Sequence, residues 1–296
     1  MSKGIRVAAH GLTSRVKSFL ALIRLSREAQ VGFAIVAVFV VTAVVVEITS
    51  LLNLVITPYN PLQQNVGPAL SPPSVAHFFG TDPTGRDVFS RVIAATPNDV
   101  AMGVVVVGVA LVIGLLLGSI AALEGGLIDE LLMRFTDVIF ALPALLIAIV
   151  IAVAIGPGVT HMMFAMVVVW WPPYARLARG EALKISHQNY IEAARNSGMG
   201  SRKIITKHII PNVSTTMLVY ATLDIGTVIV VYAGLSYLGL SVRPPSPDWG
   251  EMVSSFQDYL LEAPWLPLVP GFIIAVGVVG FSLLGDGLRD ALEARS

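Results

Sequence analysis

The chain has 296 residues, of which 55% are hydrophobic and only 13% are charged, and its mean hydropathy is +0.79. A soluble domain carries about twice that share of charged residues, so the composition indicates an integral membrane protein. The formal net charge is zero, and there is no cysteine. The absence of cysteine excludes disulfide frameworks, thiolate metal sites and cysteine nucleophiles.

Six apolar stretches are long enough to cross a bilayer. A spanning helix needs about 20 apolar residues, because each contributes about 1.5 Å of rise through about 30 Å of hydrocarbon. We therefore predict an all-α membrane protein with six transmembrane helices, and the first stretch is too long for a signal-peptide core and should remain as an anchor. The predicted spans are residues 31–56, 98–123, 137–156, 159–178, 213–238 and 265–288.

The basic residues predict the orientation, because Lys and Arg are retained on the cytoplasmic side. Residues 1–30 hold six of them, residues 123–136 one, residues 176–211 seven and the tail after residue 288 two. The connections on the other side of the membrane hold only three. Both termini are therefore predicted to be cytoplasmic. The resulting plan is an amphipathic N-terminal segment 1–30, an outer loop 57–97, a core 98–288 with a cytoplasmic loop 179–211 and an outer loop 239–264, and a tail 289–296.

Small residues and prolines mark the predicted helix contacts and bends. Helices associate in lipid through close packing, which small residues at four-residue spacing allow. Prolines should kink the third span at Pro143 and the fourth at Pro172 and Pro173. The proline-rich outer loops suit either a docking surface or plain connections. The predicted small-residue faces are Ala110, Gly114, Gly118 and Ala122 in the second span and Gly271 and Ala275 in the sixth.

One ionisable residue, Asp224, lies near the middle of the fifth predicted span, where charge is expensive. Thr216, Tyr220 and Thr227 fall on the same helical face. These four residues either line a translocation path, with Asp224 attracting a cationic group of the solute, or form a hydrogen-bonded contact between helices. The sequence leaves both interpretations open.

The longest inner connection contains a basic, helix-forming stretch at residues 190–211. A short helix is predicted from Tyr190 to Asn196, ended by a left-handed Gly198. Ser201 is predicted to cap the next helix and Pro211 to break it. Ala193 and Ala194 leave room for close approach by another protein, with Glu192 and Arg195 offering charge beside them.

This stretch resembles the coupling loop of permease subunits of binding-protein-dependent ABC importers, through Glu192-Ala193-Ala194, Gly198 and Pro211. Further segments resemble the dipeptide and oligopeptide class of that family. They are Phe79-Gly80-Thr81-Asp82-Pro83-Thr84-Gly85-Arg86-Asp87 onward to Arg91, Asp137 to Leu146, Leu235 to Leu240, Pro244 to Gly250 and Leu284 to Asp290. The match covers nearly the whole chain after residue 30, and the Gly-Thr-Asp segment is typical of one of the two unlike permeases.

The resemblance implies a type I importer permease, with residues 179–211 as the coupling loop. It implies a second, related permease, two cytoplasmic ATPase subunits and an extracellular solute-binding protein as partners in the cell membrane, with no nucleic acid. ATP and Mg²⁺ would be bound by the ATPases, and this chain would hold no cofactor or metal. Peptides are the expected solute, with oligosaccharides, nickel complexes or glutathione as alternatives within the same class.

The sequence disfavours three other functions. Gly80 to Asp87 has the glycine spacing of a phosphate-binding loop, but Arg86 stands where Lys belongs and Asp87 where Ser or Thr belongs. An intramembrane protease using Ser236 would need a histidine base, and the sixth span has none. An ion-gradient carrier usually has internal repeats, and no obvious repeat is present.

Overall fold

The structure, a computed structural model, describes residues 27–293. The predicted amphipathic segment before Arg27 and the end of the tail lie outside the described residues. The described part of the chain contains ten α-helices and no strand beyond an isolated bridge between Thr81 and Asp87. The helices are α1 (Arg27–Leu51), α2 (Val88–Glu124), α3 (Gly126–Phe140), α4 (Ala144–Ile155), α5 (Val159–Ser186), α6 (Asn189–Asn196), α7 (Ser201–Ile204), α8 (Ile210–Tyr237), α9 (Trp249–Phe256) and α10 (Trp265–Glu293).

Four helical runs within the described residues are long and apolar enough to cross a membrane, namely α1, α2, the run Ser201–Tyr237 that ends with α8, and α10. The α3–α4 pair would supply a fifth if it is one span, although the two helices meet at 80°. Helix α5 has 28 residues, but it contains two prolines and also the charged residues Arg176 and Arg179. It is not one of these four runs. The all-α membrane fold is confirmed, whereas the count of six spans stays a prediction.

The helices alternate in direction through the bundle. Trp249, which follows α8, donates its indole N–H to the carbonyl of Val92 at the start of α2. The predicted coupling loop, which precedes α8, therefore lies at the opposite end of the bundle from the start of α2. Helices α1 and α10 pack antiparallel, with Gly32 against Leu284 and Ile35 against Gly280. Helix α10 also runs antiparallel to α8, with Gly226 against Val278 and Gly285 against Leu223. Both ends of the described chain thus lie at the end of the bundle that holds the predicted coupling loop, here called the coupling-loop end.

The four-residue pattern of small residues in α2 forms a close helix contact, as predicted. Ala110 is fully buried, and Gly114 and Gly118 lie directly against the backbone of α5. The corresponding prediction for α10 is wrong, because Ala275 is exposed and a Cβ on Gly271 would meet nothing within 4 Å. The close contacts of α10 are made instead by three glycines nearer its C-terminal end, namely Gly280, Gly285 and Gly287.

Two helix boundaries differ from the predicted ones because of polar capping residues. Helix α1 ends at Leu51 rather than near residue 56, because Asn53 adopts a left-handed φ of 56° and Leu54 N–H bonds to the carbonyl of Thr49 at 2.8 Å. Helix α2 begins at Val88 rather than 98, because the Asp87 carboxylate accepts from the Ser90 N–H at 2.8 Å. Pro97 then lies inside a continuous helix.

The predicted third span is broken rather than merely kinked. Pro143 has an extended conformation, with φ −60° and ψ 115°, between α3 and α4. Its ring lacks an N–H and disfavours the helical conformation at Leu142, and at this position the helix ends. Helix α4 has 12 residues, or about 18 Å of rise, which is shorter than the hydrocarbon. By contrast, α5 continues through Pro172 and Pro173.

We expect Gly118→Ala to destabilise the protein through the α2–α5 contact. A Cβ at this position would lie 2.7 Å from the backbone nitrogen of Arg179, a distance that requires the helices to separate. Overpacking of this kind costs about 1–3 kcal/mol, so the melting temperature of the purified protein in detergent should fall. Gly108→Ala is the matched control, because its Cβ would meet nothing within 4 Å on the same helix. Equal melting temperatures for the two variants would contradict the assigned contact.

Candidate functional site

The predicted coupling loop contains a short helix that ends in a defined turn. Helix α6 runs over Asn189–Asn196, and Gly198 has a left-handed φ of 79°. The Gly198 N–H donates to the carbonyl of Arg195 at 2.9 Å, and the Met199 N–H donates to that of Ala194 at 3.1 Å. This pair of bonds is a Schellman turn, which satisfies carbonyls at the helix end. The predicted short helix and left-handed Gly198 are therefore confirmed.

Helix α6 has one fully buried side chain and exposes most of its remaining surface. Ile191 is fully buried in the main apolar core. Glu192, Ala193 and Arg195 are exposed, whereas Ala194 is half-buried. The short alanine side chain and the flanking charges therefore face outward in this chain. Such a surface permits close approach by another protein, with charge contacts at its edge.

The chain from Ser201 to Tyr237 is one continuous helical run, so the predicted break at Pro211 is wrong. Residues Ile205–Ile209 form a π-helical turn, and the Ile210 N–H bonds to the carbonyl of Ile205. The wider turn shifts the hydrogen-bond register just before Pro211, which then occupies the first turn of α8, where its missing N–H is tolerated. The predicted cap at Ser201 is also wrong, because Gly200 is the capping residue and no side chain caps α7.

The predicted polar stripe lies on the open side of α8. Thr216, Tyr220 and Thr227 are exposed, and Asp224 is half-buried. The Asp224 Oδ2 atom accepts hydrogen bonds from Trp170 Nε1 at 2.7 Å and from the Tyr174 hydroxyl at 2.8 Å. Asp224 therefore takes part in a hydrogen-bonded contact with α5, which was one of the two interpretations. It also lines a groove of about 330 Å³.

At the opposite end, Asp82 organises the Gly-Thr-Asp segment and is fully buried. Its Oδ1 atom accepts from the backbone N–H groups of Thr84, at 2.8 Å, and Arg86, at 3.0 Å, and its Oδ2 atom accepts from Arg86 Nε at 2.7 Å. Arg91, also buried, donates to the carbonyl of Pro245 at 3.1 Å and ties this loop to the segment before α9. The loop's own carboxylate therefore occupies backbone donors that a phosphate would need.

The Pro-Asp-Trp-Gly segment is a buried joint between α2, α8 and α9. Asp248 caps α9 by accepting from the backbone N–H groups of Gly250, at 3.0 Å, and Glu251, at 3.1 Å. It also accepts from the hydroxyls of Tyr232 and Ser236. Trp249 is fully buried, and its backbone N–H lies 3.4 Å from Asp99 Oδ2. Ser236 therefore has a structural partner in Asp248 rather than a histidine base.

Sequence reasoning did not find the partners that hold these groups in place. Trp170, Tyr174, Tyr232 and Asp99 were not identified as site residues, since none belongs to a local motif with its partner. Two ion pairs between α3 and α5 were also missed. They join Arg179 to Asp129 at 2.5 Å and Arg176 to Asp137 at 2.7 Å.

Comparison with known proteins gives consistent matches. A sequence model of the family described as binding-protein-dependent transport system inner membrane component matches residues 114–296. The probable D,D-dipeptide transport system permease protein DdpC of Escherichia coli is 38% identical over 260 residues, covering 86% of this chain and 87% of the relative.

Two further relatives carry related descriptions. The dipeptide transport system permease protein DppC of Alkalihalophilus pseudofirmus is 37% identical over 265 residues, with 90% and 85% coverage of this chain and the relative. The glutathione transport system permease protein GsiD of Pectobacterium atrosepticum is 39% identical over 223 residues, with 75% and 74% coverage. Together with the apolar helices, these matches show that the chain belongs to the family of binding-protein-dependent transport system inner membrane components and is a multi-pass membrane permease subunit.

Proposed function

We propose that this chain is the permease subunit of an ATP-driven ABC importer for dipeptides and oligopeptides, and that it forms half of the translocation path. The observation that carries the coupling role is helix α6, which presents Glu192, Ala193 and Arg195 on the surface beside a rigid turn at Gly198. The choice of peptides is supported by the relatives, which are described as dipeptide, D,D-dipeptide and glutathione permeases.

The partners proposed for this chain are a second, related permease, two cytoplasmic ATPase subunits and an extracellular binding protein. The ATPases would bind ATP and Mg²⁺, and this chain would need no cofactor of its own. Both ends of the described chain lie at the coupling-loop end of the bundle. This position supports six crossings with both termini in the cytoplasm. The outer loops 57–97 and 239–264 would then face the binding protein.

The connection between α6 and α8 suggests how the ATPases would act on the path. Helix α6 is anchored by Ile191, and its turn leads directly into the helical run Ser201–Tyr237. A displacement of α6 would therefore be carried along a continuous helix to Thr216, Tyr220, Asp224 and Thr227, the proposed path residues. A flexible loop could not transmit such a rigid-body motion.

Reconstitution of the complete importer tests this function. The chain would be purified with its second permease and both ATPases, inserted into liposomes, and supplied with the cognate binding protein. We expect uptake of labelled dipeptides that requires ATP on the side of the membrane where the ATPase subunits lie. Uptake driven by an ion gradient through this chain alone, or ATP-driven uptake of oligosaccharides or nickel complexes with no uptake of peptides, would contradict the proposal.

We expect Glu192→Lys to weaken attachment of the ATPases without affecting insertion. Glu192 is exposed, so the substitution leaves the apolar core intact but reverses the charge of a proposed contact. Reversal of an interfacial charge typically costs several kcal/mol when it brings like charges together. Co-purification of the ATPases with the permease pair should fall sharply, whereas Glu192→Gln, which removes the charge without reversing it, should retain more. Normal co-purification and uptake with Glu192→Lys would remove this residue from the interface.

A further inference from the structure

A groove at the break between α3 and α4 contains the Asp224 carboxylate. Its volume is about 330 Å³, which falls in the range of small-molecule sites. Helix α3 contributes Phe140, the break between α3 and α4 contributes Pro143, α5 contributes Trp170, and α8 contributes Tyr220 and Asp224. Its lining residues include one carboxylate and no basic side chain. An interrupted helix beside a cavity is a common arrangement for solute sites within membrane proteins.

The two oxygens of Asp224 have different surroundings. The Oδ2 atom accepts from Trp170 Nε1 and from the Tyr174 hydroxyl, at 2.7 and 2.8 Å, and these two bonds fix the orientation of the carboxylate. Among the described residues no hydrogen bond or ion pair reaches Oδ1. The helix contact therefore uses one oxygen and leaves the other available to the groove. An anionic oxygen in such an apolar setting is costly unless a cation approaches it.

The aromatic side chains around Asp224 suit an organic cation. Trp170 and Tyr220 line the groove, and Tyr220 is packed edge-on against Tyr174, with ring centroids 5.1 Å apart. Aromatic faces beside a carboxylate bind ammonium groups through cation–π attraction as well as charge. The guanidinium of Arg176 lies 4.2 Å from the centroid of Phe140, but it is already paired with Asp137 at 2.7 Å.

We propose that Asp224 Oδ1, with the rings of Trp170 and Tyr220, binds the primary ammonium group of the peptide as it passes through the permease. This inference rests on the proposed function and names the part of the solute that the groove recognises. Trp170 and Tyr174 act as positioning residues for the carboxylate. The competing occupant is a Lys or Arg of the second permease. The size of the groove and its aromatic lining favour a small solute over a single partner side chain.

Direct binding tests the inference without the selectivity of the binding protein. The purified complex of both permeases and both ATPases would be dialysed to equilibrium against labelled L-alanyl-L-alanine or N-acetyl-L-alanyl-L-alanine. We expect the wild-type complex to bind the free-amine peptide at least about tenfold more tightly, because acetylation removes the charge of the ammonium group and with it the charge-assisted hydrogen bond. Equal affinity for the two peptides, or no binding of either, would overturn the proposal whatever the variants do.

Asp224→Asn should remove this preference while keeping the helix contact. The amide oxygen can still accept from Trp170 and Tyr174, and only the charge is lost. We expect the affinity for L-alanyl-L-alanine to fall to that for its acetylated form, whose binding should not change. Thr222→Val is the control, because the Thr222 hydroxyl bonds only to the carbonyl of Leu218 on its own helix. A preference retained in Asp224→Asn would overturn the inference.

The outcomes also distinguish this inference from the proposed function. If the second permease no longer co-purifies with Asp224→Asn while the peptide preference is unchanged, Asp224 pairs with that subunit and the ammonium site is wrong. If ATP-driven uptake of dipeptides persists with unchanged preference, the function stands and the ammonium site fails. If the wild-type importer transports no peptide at all, the proposed function itself fails.

Discussion

Gly198→Val is expected to reduce ATP-driven uptake by roughly tenfold or more while leaving the protein folded in the membrane. Gly198 has a φ of 79°, and a Cβ added to it would meet nothing within 4 Å, so the effect comes from the backbone rather than from a clash. The left-handed conformation costs an L-residue about 1–2 kcal/mol, and more for a β-branched side chain. The turn that orients α6 would then be replaced by other conformations.

The measurement is uptake and ATP hydrolysis by the reconstituted importer, with insertion checked by the yield of monodisperse protein. We expect hydrolysis that is less coupled to uptake, or ATPases that dissociate more readily. Gly200→Val provides the matched control two residues away. Gly200 has φ −66° and ψ 152°, which valine adopts readily, and its Cβ would also meet nothing within 4 Å. Wild-type uptake by Gly198→Val, or equal losses in both variants, would contradict the role of the turn.

The largest loss of stability is expected for Asp248→Ala, at about 3–5 kcal/mol. The carboxylate is fully buried and accepts from the Tyr232 and Ser236 hydroxyls and from the N–H groups of Gly250 and Glu251. Its removal leaves several buried donors without a partner, each of which costs about 1–3 kcal/mol without full additivity. The variant should also release α9 from α8 and α2.

Thermal unfolding of the purified protein in detergent measures this effect. Asp248→Asn retains an acceptor oxygen and should fall between wild type and Asp248→Ala. Asp258→Ala, at an exposed carboxylate just after α9, should leave the melting temperature unchanged. An Asp248→Ala protein as stable as wild type would show that the donors find other partners and that the segment is not a buried joint.

Predictions from local residues succeeded where the controlling interaction is itself local. The left-handed Gly198 follows from backbone sterics within one turn, and the structure confirms it. Most of the long apolar stretches were found because length and hydropathy are properties of a continuous segment. Their ends were less accurate, because hydropathy does not report the left-handed backbone at Asn53 or the side-chain cap at Asp87.

Errors arose where distant segments or adjustments in register intervene. Pro211 was expected to break a helix. Instead, a π-helical turn precedes it, and Pro211 lies in the first turn of α8, where its missing N–H is tolerated. Gly271 and Ala275 have helical spacing, yet they do not form the packed face of α10. That face carries Gly280, Gly285 and Gly287, because α1 and α8 lie against them in the tertiary structure. Pro143 was expected to kink a helix, and the two halves meet instead at 80°.

The sequence alone was sufficient for the membrane class, the helical fold, the family resemblance and the turn at Gly198, because these depend on composition and on contacts between near neighbours. The surroundings of Asp224 and Asp248 required the tertiary structure. Trp170 lies 54 residues before Asp224, and Trp249 lies 157 residues after Val92, so no periodicity within either segment reports their contact. Helix packing brings these groups together, and it determines which carboxylate oxygens accept hydrogen bonds from other helices.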